Sequence, residues 1–377
     1  MSVVLHVICS QREGAIGGSD LHVMDLAAAQ QRHGKWQPLV LAPRANRDYL
    51  ERLAAAGLTV LPPLRPGWLW RLPAARDIGL IHGHGYEANY LIAVLRTLSS
   101  AWAQLPSVAT AHGWIETTPW NRVKSHWDRL SMRSADLRIA SAHAHLPRLR
   151  AACGPSVALH NGVPVPDIAD GPAFRREHGI GPDATLIGSV GRLSSEKRID
   201  LLLRAGAQVR RERPDVHLLV VGGGAQHAEL ARMATALGLD GHITFAGVVK
   251  DVSPAMAALD LLVQPSDTEG SPRSILEAMA RNLPVVATDV GDVSVLLDGG
   301  TAGTLVPPDD AAALADALLT LISDPDHARA QATIAHARYT ELYTVDIMRA
   351  RIDELYATVR SNAGHRRPSL HRPRPKP

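Results

Sequence analysis

The chain has 377 residues, of which 46 % are hydrophobic and 20 % charged, with a mean hydropathy of −0.04. That length implies two domains of about 100–200 residues, and the composition excludes collagen-like, disordered and coiled-coil chains. The net charge of +3 conceals a basic first half (+7 over 1–165), an acidic second half (−9 over 166–360) and a basic tail (+5 over 361–377).

The first predicted strand, 3–9, has no preceding Lys or Arg and no small-residue cleavage pattern, so it is read as a strand and not a signal peptide. No apolar run reaches the roughly 18–20 residues of a membrane-spanning helix. Cys9 and Cys153 are too few for a disulfide framework or a metal cluster, which fits a cytoplasmic chain. Strands are then predicted at 37–42, 58–61, 78–82, 107–110 and 137–141, with helices at 19–33, 46–56, 86–98 and 121–134. Gly and Pro thicken over 154–182, as in an inter-domain connection. A second series follows, with strands at 185–190, 216–221, 242–246, 260–264, 284–287 and 303–306. Its helices are predicted at 198–212, 226–237, 253–259, 273–281 and 309–322. Short apolar runs alternating with amphipathic segments are the pattern of parallel sheets with helical crossovers. Two such halves place a ligand cleft at the carboxyl ends of their strands. The segment 325–360 is read as helical, and the proline-rich tail from Ser361 as disordered.

Chemistry concentrates at four places. The strand 260–264 runs into Ser266, Glu269, Gly270, Ser271, Pro272, Arg273, Ser274 and Glu277. Pro272 is suited to the first turn of a helix, whose free amides make an anion site. Two carboxylates beside that site suit a ligand that carries hydroxyls next to its phosphates. The bland alternative makes them capping residues. In Gly191-Arg192-Leu193-Ser194-Ser195-Glu196-Lys197, a turn brings Arg192 and Lys197 toward one point, where they can neutralise a departing diphosphate without a metal. The glycine loop from Gly14 through Gly17, Gly18 and Ser19 to Asp20 and His22 allows close approach of backbone to ligand, with Ser19 or Asp20 as helix cap. His112 ends a strand and is placed to meet a sugar hydroxyl. His82 and His84 are spaced as a metal pair, but the neighbouring sequence offers no third ligand, so no metal site is assigned. Other hydrolase, nucleotide-binding and zinc-peptidase motifs are absent, as is Asp-x-Asp. The basic first half suggests an anionic membrane surface or a phosphorylated substrate, with solvated surface charge as the alternative. Helix 121–138 carries Arg122, Lys124, Arg129, Arg133 and Arg138. It reads as a membrane-facing or an ordinary surface helix, with the latter favoured. Nothing resembles a nucleic-acid-binding pattern.

These residues resemble those of the GT-B-fold retaining glycosyltransferases of family 4. The likeness spans residues 3–345 and is densest over 187–308. Glu269 and Glu277 match that family's E-x7-E motif, and Gly191-Arg192 with Glu196-Lys197 its phosphate loop. Gly17-Gly18-Ser19-Asp20 and the Asn161-Gly162-Val163 turn are also similar. Asp20 stands where the family usually has Glu, and Gly291-Asp292 departs from its usual Gly-Gly.

The resemblance implies an α/β fold of two doubly wound Rossmann-like domains facing each other across a cleft. The acceptor-side domain would cover 1–165 and a linker 166–182. The nucleotide-sugar-binding domain would cover 183–345, followed by a helix (346–360) and the tail (361–377). It also implies transfer of a hexose-type sugar, with retention and no cofactor or metal, from a nucleoside-diphosphate-sugar, UDP-sugar favoured. The acceptor would be a cell-envelope polysaccharide, a lipopolysaccharide or a lipid-linked saccharide at the inner face of the cytoplasmic membrane. Glu277 would bind the ribose, Glu269 and His112 the sugar, and Arg192 and Lys197 the diphosphate, helped by amides of Gly18, Arg273 and Ser274. A nucleotide-sugar epimerase of the same fold and a non-catalytic nucleotide-sugar-binding partner are the alternatives.

Overall fold

A computed structural model describes residues 2–9, 16–61, 69–114 and 119–365, which fall into two compact units. The first unit runs to Ser141, resumes over His145–Leu159 and again from Met348 onward. Its sheet is wholly parallel, in the order β3-β2-β1-β4-β5-β6-β7. The strands are β1 Ser2–Ile8, β2 Trp36–Leu41, β3 Thr59–Leu61, β4 Ile78–His84, β5 Ser107–Ala111, β6 Leu137–Ala140 and β7 Ser156–Ala158. Val4, Leu5 and Val7 of β1 are buried although they point to opposite faces, because helices cover both sides of the sheet. The helix Gly18–His33 begins where Asp20 reaches back to accept from the Gly17 amide at 2.9 Å, and ends at Gly34.

The second unit comprises Ala142–Ala144 and His160–Ile347. Its sheet repeats the scheme in the order β10-β9-β8-β11-β12-β13. The strands are β8 Thr185–Val190, β9 Val216–Val221, β10 Ile243–Gly247, β11 Leu261–Gln264, β12 Val285–Thr288 and β13 Thr304–Val306. Leu186, Ile187, Leu218, Leu219, Leu262 and Val263 form its buried centre. In each sheet the winding reverses once, between β1 and β4 and between β8 and β11. A crevice opens beyond the strand ends at such a reversal, which is where ligands settle in open α/β sheets.

Two expectations need correction. The Gly/Pro-rich connection holds β7 and a helix, Gly171–Glu177, because Asp170 caps it, Pro172 occupies its first turn and Phe174 buries into the core. The stretch 325–360 is helical as expected, with Pro325–Arg338 passing through a π turn at Tyr339–Tyr343 into a separate closing helix, Val345–His365. That last helix also continues past Ser361. Arg360 holds it by lying over Trp36 at 5.3 Å and bonding Ser2 Oγ at 2.5 Å. Residues 366–377, where the rest of the expected tail falls, and Gly14 of the glycine loop lie outside the described residues. Among the described residues no helix is long and apolar enough to cross a membrane.

Candidate active site

In the second unit the site is built on the loops that leave β8 and β11. The β8 loop is stitched to the end of β9: Gly191 N donates to Val221 O and Leu193 N to Gly223 O, each at 2.9 Å. This approach needs a glycine at Gly222, whose φ is +133° and where a Cβ would lie 1.9 Å from Gly191 O. The β11 loop is pressed as closely against Gly291, where a Cβ would meet Glu269 O at 1.9 Å. The two loops are joined directly by Asp267 N donating to Glu196 O at 2.9 Å. Arg198, in a left-handed conformation, ties the same region by ion pairs to Asp200, Asp267 and Asp309. Those carboxylates, Asp200 foremost, hold its guanidinium protonated far above the ordinary range.

On this frame Lys197 and Glu269 come together, with Nζ donating to Oε1 at 2.6 Å. The same oxygen accepts from Ser266 Oγ at 2.6 Å and from Gln264 Nε2 at 2.5 Å. Gln264 in turn accepts from Ser274 Oγ at 2.7 Å, and Thr288 Oγ1 donates to Ser266 O at 2.5 Å. Glu269 is therefore a buried carboxylate fixed by three donors on one oxygen, and Lys197 is its counter-ion. Arg192 is different, being half exposed and only loosely associated with Glu196 at 3.9 Å. Four residues before Glu277 in the same helix, Arg273 pairs with its carboxylate at 3.3 Å.

The helix Arg273–Ala280 starts at the expected residue, but Pro272 stands before its first turn and not in it. Pro272 is its N-cap, with an extended ψ of 118°, and Arg273 and Ser274 are its first helical residues. Both lie at the positive end of the helix dipole. The preceding turn, Gly270-Ser271, is held by Asn161, whose Nδ2 donates to Ser271 O at 3.1 Å and whose amide meets Ser271 Oγ at 3.3 Å. The second unit thus gathers Gly191, Arg192, Lys197, Glu269, Ser274 and Glu277 on two linked loops and one helix start. A fixed carboxylate beside cations and the positive end of a helix dipole can hold hydroxyls and phosphate oxygens of one ligand.

Sequence reasoning missed Gln264 and Asp292. Gln264, a buried amide closing an otherwise apolar strand, was the legible signal. Asp292 is buried and accepts from the amides of His143 and Ala144 and from His160 Nε2 at 2.7 Å. Burial alone would raise its pKa, but those hydrogen bonds prevail and hold the carboxyl below its usual range.

In the first unit Gly17 and Gly18 open the helix Gly18–His33, and Asp20 is committed to capping it. His112 is half-buried just beyond β5, with Nε2 at 3.4 Å from His84 Nδ1. The third imidazole that the sequence near His82 and His84 lacks does arrive, from β1 and from the helix Gly18–His33. His6, His82 and His84 form one group and His22, His84 and His112 another, with ring nitrogens within 4.8 Å inside each group. His143, His160 and Asp292 make a third group of the same kind. The sequence argument against a metal pair therefore does not hold as stated, because the missing ligand type is present in space.

A family model described as glycosyl transferases group 1 matches residues 184–324, and one described as glycosyltransferase family 4 matches residues 16–165. The chain is 31 % identical over 293 residues to a GDP-mannose-dependent alpha-(1-6)-phosphatidylinositol monomannoside mannosyltransferase of Mycolicibacterium smegmatis, covering 74 % of this chain and 68 % of that one. It is 29 % identical over 382 residues to the phosphatidyl-myo-inositol mannosyltransferase of the same organism, covering 95 % and 94 %. Among solved structures, Anabaena Alr3699/HepE in complex with UDP-glucose superposes with a TM-score of 0.81 at 25 % identity, covering 95 % of this chain and all of that one.

Proposed function

The chain belongs to glycosyltransferase family 4 and has the GT-B fold, and on that footing we propose which residues and ligands carry its sugar transfer. The observation that carries the reading is the Lys197–Glu269 pair, fixed by Gln264 and Ser266 in the loop that leads into the helix Arg273–Ala280. The donor is a nucleoside-diphosphate hexose. Glu277 accepts from ribose hydroxyls, and Glu269 and His112 meet hydroxyls of the sugar. Arg192 and Lys197, with the amides of Gly18, Gly191, Arg273 and Ser274, take the charge that develops on the departing diphosphate. Gly17, Gly270, Ser271 and Pro272 shape the turns that bring this backbone to the ligand. No side chain in this set is placed as a dedicated general base. The leaving phosphate oxygen takes the acceptor's proton on the same face of the sugar, so the anomeric configuration is retained. A UDP-sugar is favoured by the Anabaena structure with UDP-glucose, which the chain matches over nearly its whole length. The GDP-mannose-dependent relative supports a guanine nucleotide as the second reading.

The acceptor is a lipid-linked or envelope saccharide presented at the inner face of the cytoplasmic membrane. Two observations support this placement besides the relatives that act on phosphatidylinositol. The helix Pro119–Met132 exposes Trp120 and Trp127 among Arg122, Lys124 and Arg129. Beside it, Tyr90, Val94 and Leu98 of the helix Tyr86–Leu98 join Trp127 and Leu130 around a groove of about 360 Å³. Aromatic side chains interleaved with cations suit the headgroup level of an anionic bilayer. The test incubates purified protein with UDP-glucose or GDP-mannose, with and without phosphatidylinositol-containing vesicles. The expected result is vesicle-dependent release of the nucleoside diphosphate and an α-linked product from an α-linked donor. An epimerised sugar-nucleotide formed without acceptor, or binding without turnover, overturns it.

A further inference from the structure

Five histidines of the first unit, His6, His22, His82, His84 and His112, lie in one continuous group, with neighbouring ring centroids 3.9–5.7 Å apart. Burial lowers the pKa values of four of them, His6 and His112 to about 4, and His82 and His84 well below the usual imidazole value. At neutral pH each of these four rings therefore carries one N–H and one lone pair, and the open question is which nitrogen holds the proton.

Hydrogen bonds settle it from one end. Gln30, buried on the helix Gly18–His33, turns its NH₂ group toward Asp353 Oδ1 at 3.4 Å. Its carbonyl oxygen consequently faces His6 Nε2 at 2.8 Å. A carbonyl only accepts, so His6 carries its proton on Nε2 and its lone pair on Nδ1. His84 Nε2, 3.0 Å from that lone pair, must donate, which leaves the lone pair of His84 on Nδ1. His112 Nε2, 3.4 Å further on, donates in its turn. Each neutral imidazole passes the choice to the next.

We propose that Gln30 is a positioning residue that fixes His112 in the Nε2–H tautomer through His6 and His84, so that His112 meets a donor hydroxyl as an acceptor at Nδ1. The relay stands on the geometry of the first unit alone, whereas the last clause rests on the donor-site reading above. A second line runs beside it: Tyr356 Oη lies 2.5 Å from His82 Nδ1, and His82 Nε2 lies 2.7 Å from Thr110 Oγ1.

The experiment is long-range ¹H–¹⁵N correlation on the full chain labelled with ¹⁵N-histidine, with His112 assigned by the spectrum of His112→Gln. Wild type is expected to show Nε2 protonated and Nδ1 bare at pH 7.5. Gln30→Met, which keeps length and removes the accepting carbonyl, is expected to show a mixture of tautomers at His112. It is also expected to lose roughly 3- to 10-fold in kcat/KM for the donor, the scale of one neutral hydrogen bond. If Gln30→Met does not fold, the wild-type spectrum alone decides the relay. A proton on Nδ1 of His112 in wild type, or resonances of a metal-bound Nε2 in the protein as purified, overturns the relay. The expected tautomers with an unmoved kcat/KM in Gln30→Met overturn the donor clause and leave the relay standing.

Discussion

Replacing Lys197 by Met keeps most of the aliphatic stem and deletes the charge that faces Glu269. The Lys197 and Glu269 side chains are 20 % and 7 % exposed, and their charged atoms lie 2.6 Å apart. An exposed pair contributes about 0–1 kcal/mol, while stripping one partner from a fully buried pair costs about 3–5 kcal/mol. Glu269 keeps Ser266 and Gln264 on the same oxygen, so the variant should lose about 1–2 kcal/mol in urea unfolding. Catalysis should suffer more. An ammonium that also meets the departing diphosphate contributes on the order of 10²–10³-fold in rate, or about 2.7–4 kcal/mol. The assay is acceptor-dependent kcat/KM for wild type, Lys197→Met, Glu269→Gln and the double variant. If Lys197 only braces Glu269, the lysine change costs nothing further once Glu269→Gln is present. A loss in Lys197→Met of less than about threefold, or that complete lack of further cost, would refute direct contact between the ammonium and the diphosphate.

Glu277→Ala should abolish transfer yet unfold in urea near wild type, read by turnover and by circular dichroism. Gly222→Ala should cost at least about 3 kcal/mol, because its Cβ would sit 1.9 Å from Gly191 O on a left-handed backbone, whereas Gly191→Ala meets open space and should be nearly neutral in stability. The folded pKa of about 4 for His6 and His112 lies below the unfolded value of about 6.5. The unfolded chain therefore binds more protons, and stability should fall from pH 6.5 toward pH 4 by about 1.4 kcal/mol per unit per histidine. Asp292 acts in the same direction in a lower window: its depressed carboxyl stabilises above the unfolded pKa of about 3.9 and loses that contribution as pH falls through its lower folded value. Asp292→Asn should flatten that last acid limb of a pH-dependent unfolding curve.

How far residues alone reached depends on how local the cause is. β8 and β9 fall at 185–190 and 216–221 as expected, because each is an apolar run closed by a glycine turn. β7 escaped notice since Ser156–Ala158 is a three-residue edge strand inside a Gly- and Pro-rich stretch. Glu269, Lys197 and Ser274 stood out as candidates because each stands at a strand end or helix start. That Lys197 would pair with Glu269 was not, since the bond spans 72 residues and depends on the two loops being tied by Asp267 and Glu196. The histidine group was hidden for the same reason: His6 meets His84 across 78 positions, and no periodicity encodes such a meeting. Asp292 shows a further limit. A single acid in a departure from the family pattern gives no hint that it gathers two amides and an imidazole from 132–149 residues away.

The return of the chain to its first unit at Met348 has a practical corollary for anyone recombining these enzymes. A fragment that stops at residue 165 would forfeit Tyr356 and Asp353, leaving Trp36 without its edge-on neighbour and Gln30 and His82 each short of one polar partner. Chimaeras that graft a foreign nucleotide-binding half should therefore carry the closing helix of the parent that supplies the opening half. A splice near residue 347 respects that ownership, whereas a single crossover in the connection mixes parents within one packed body.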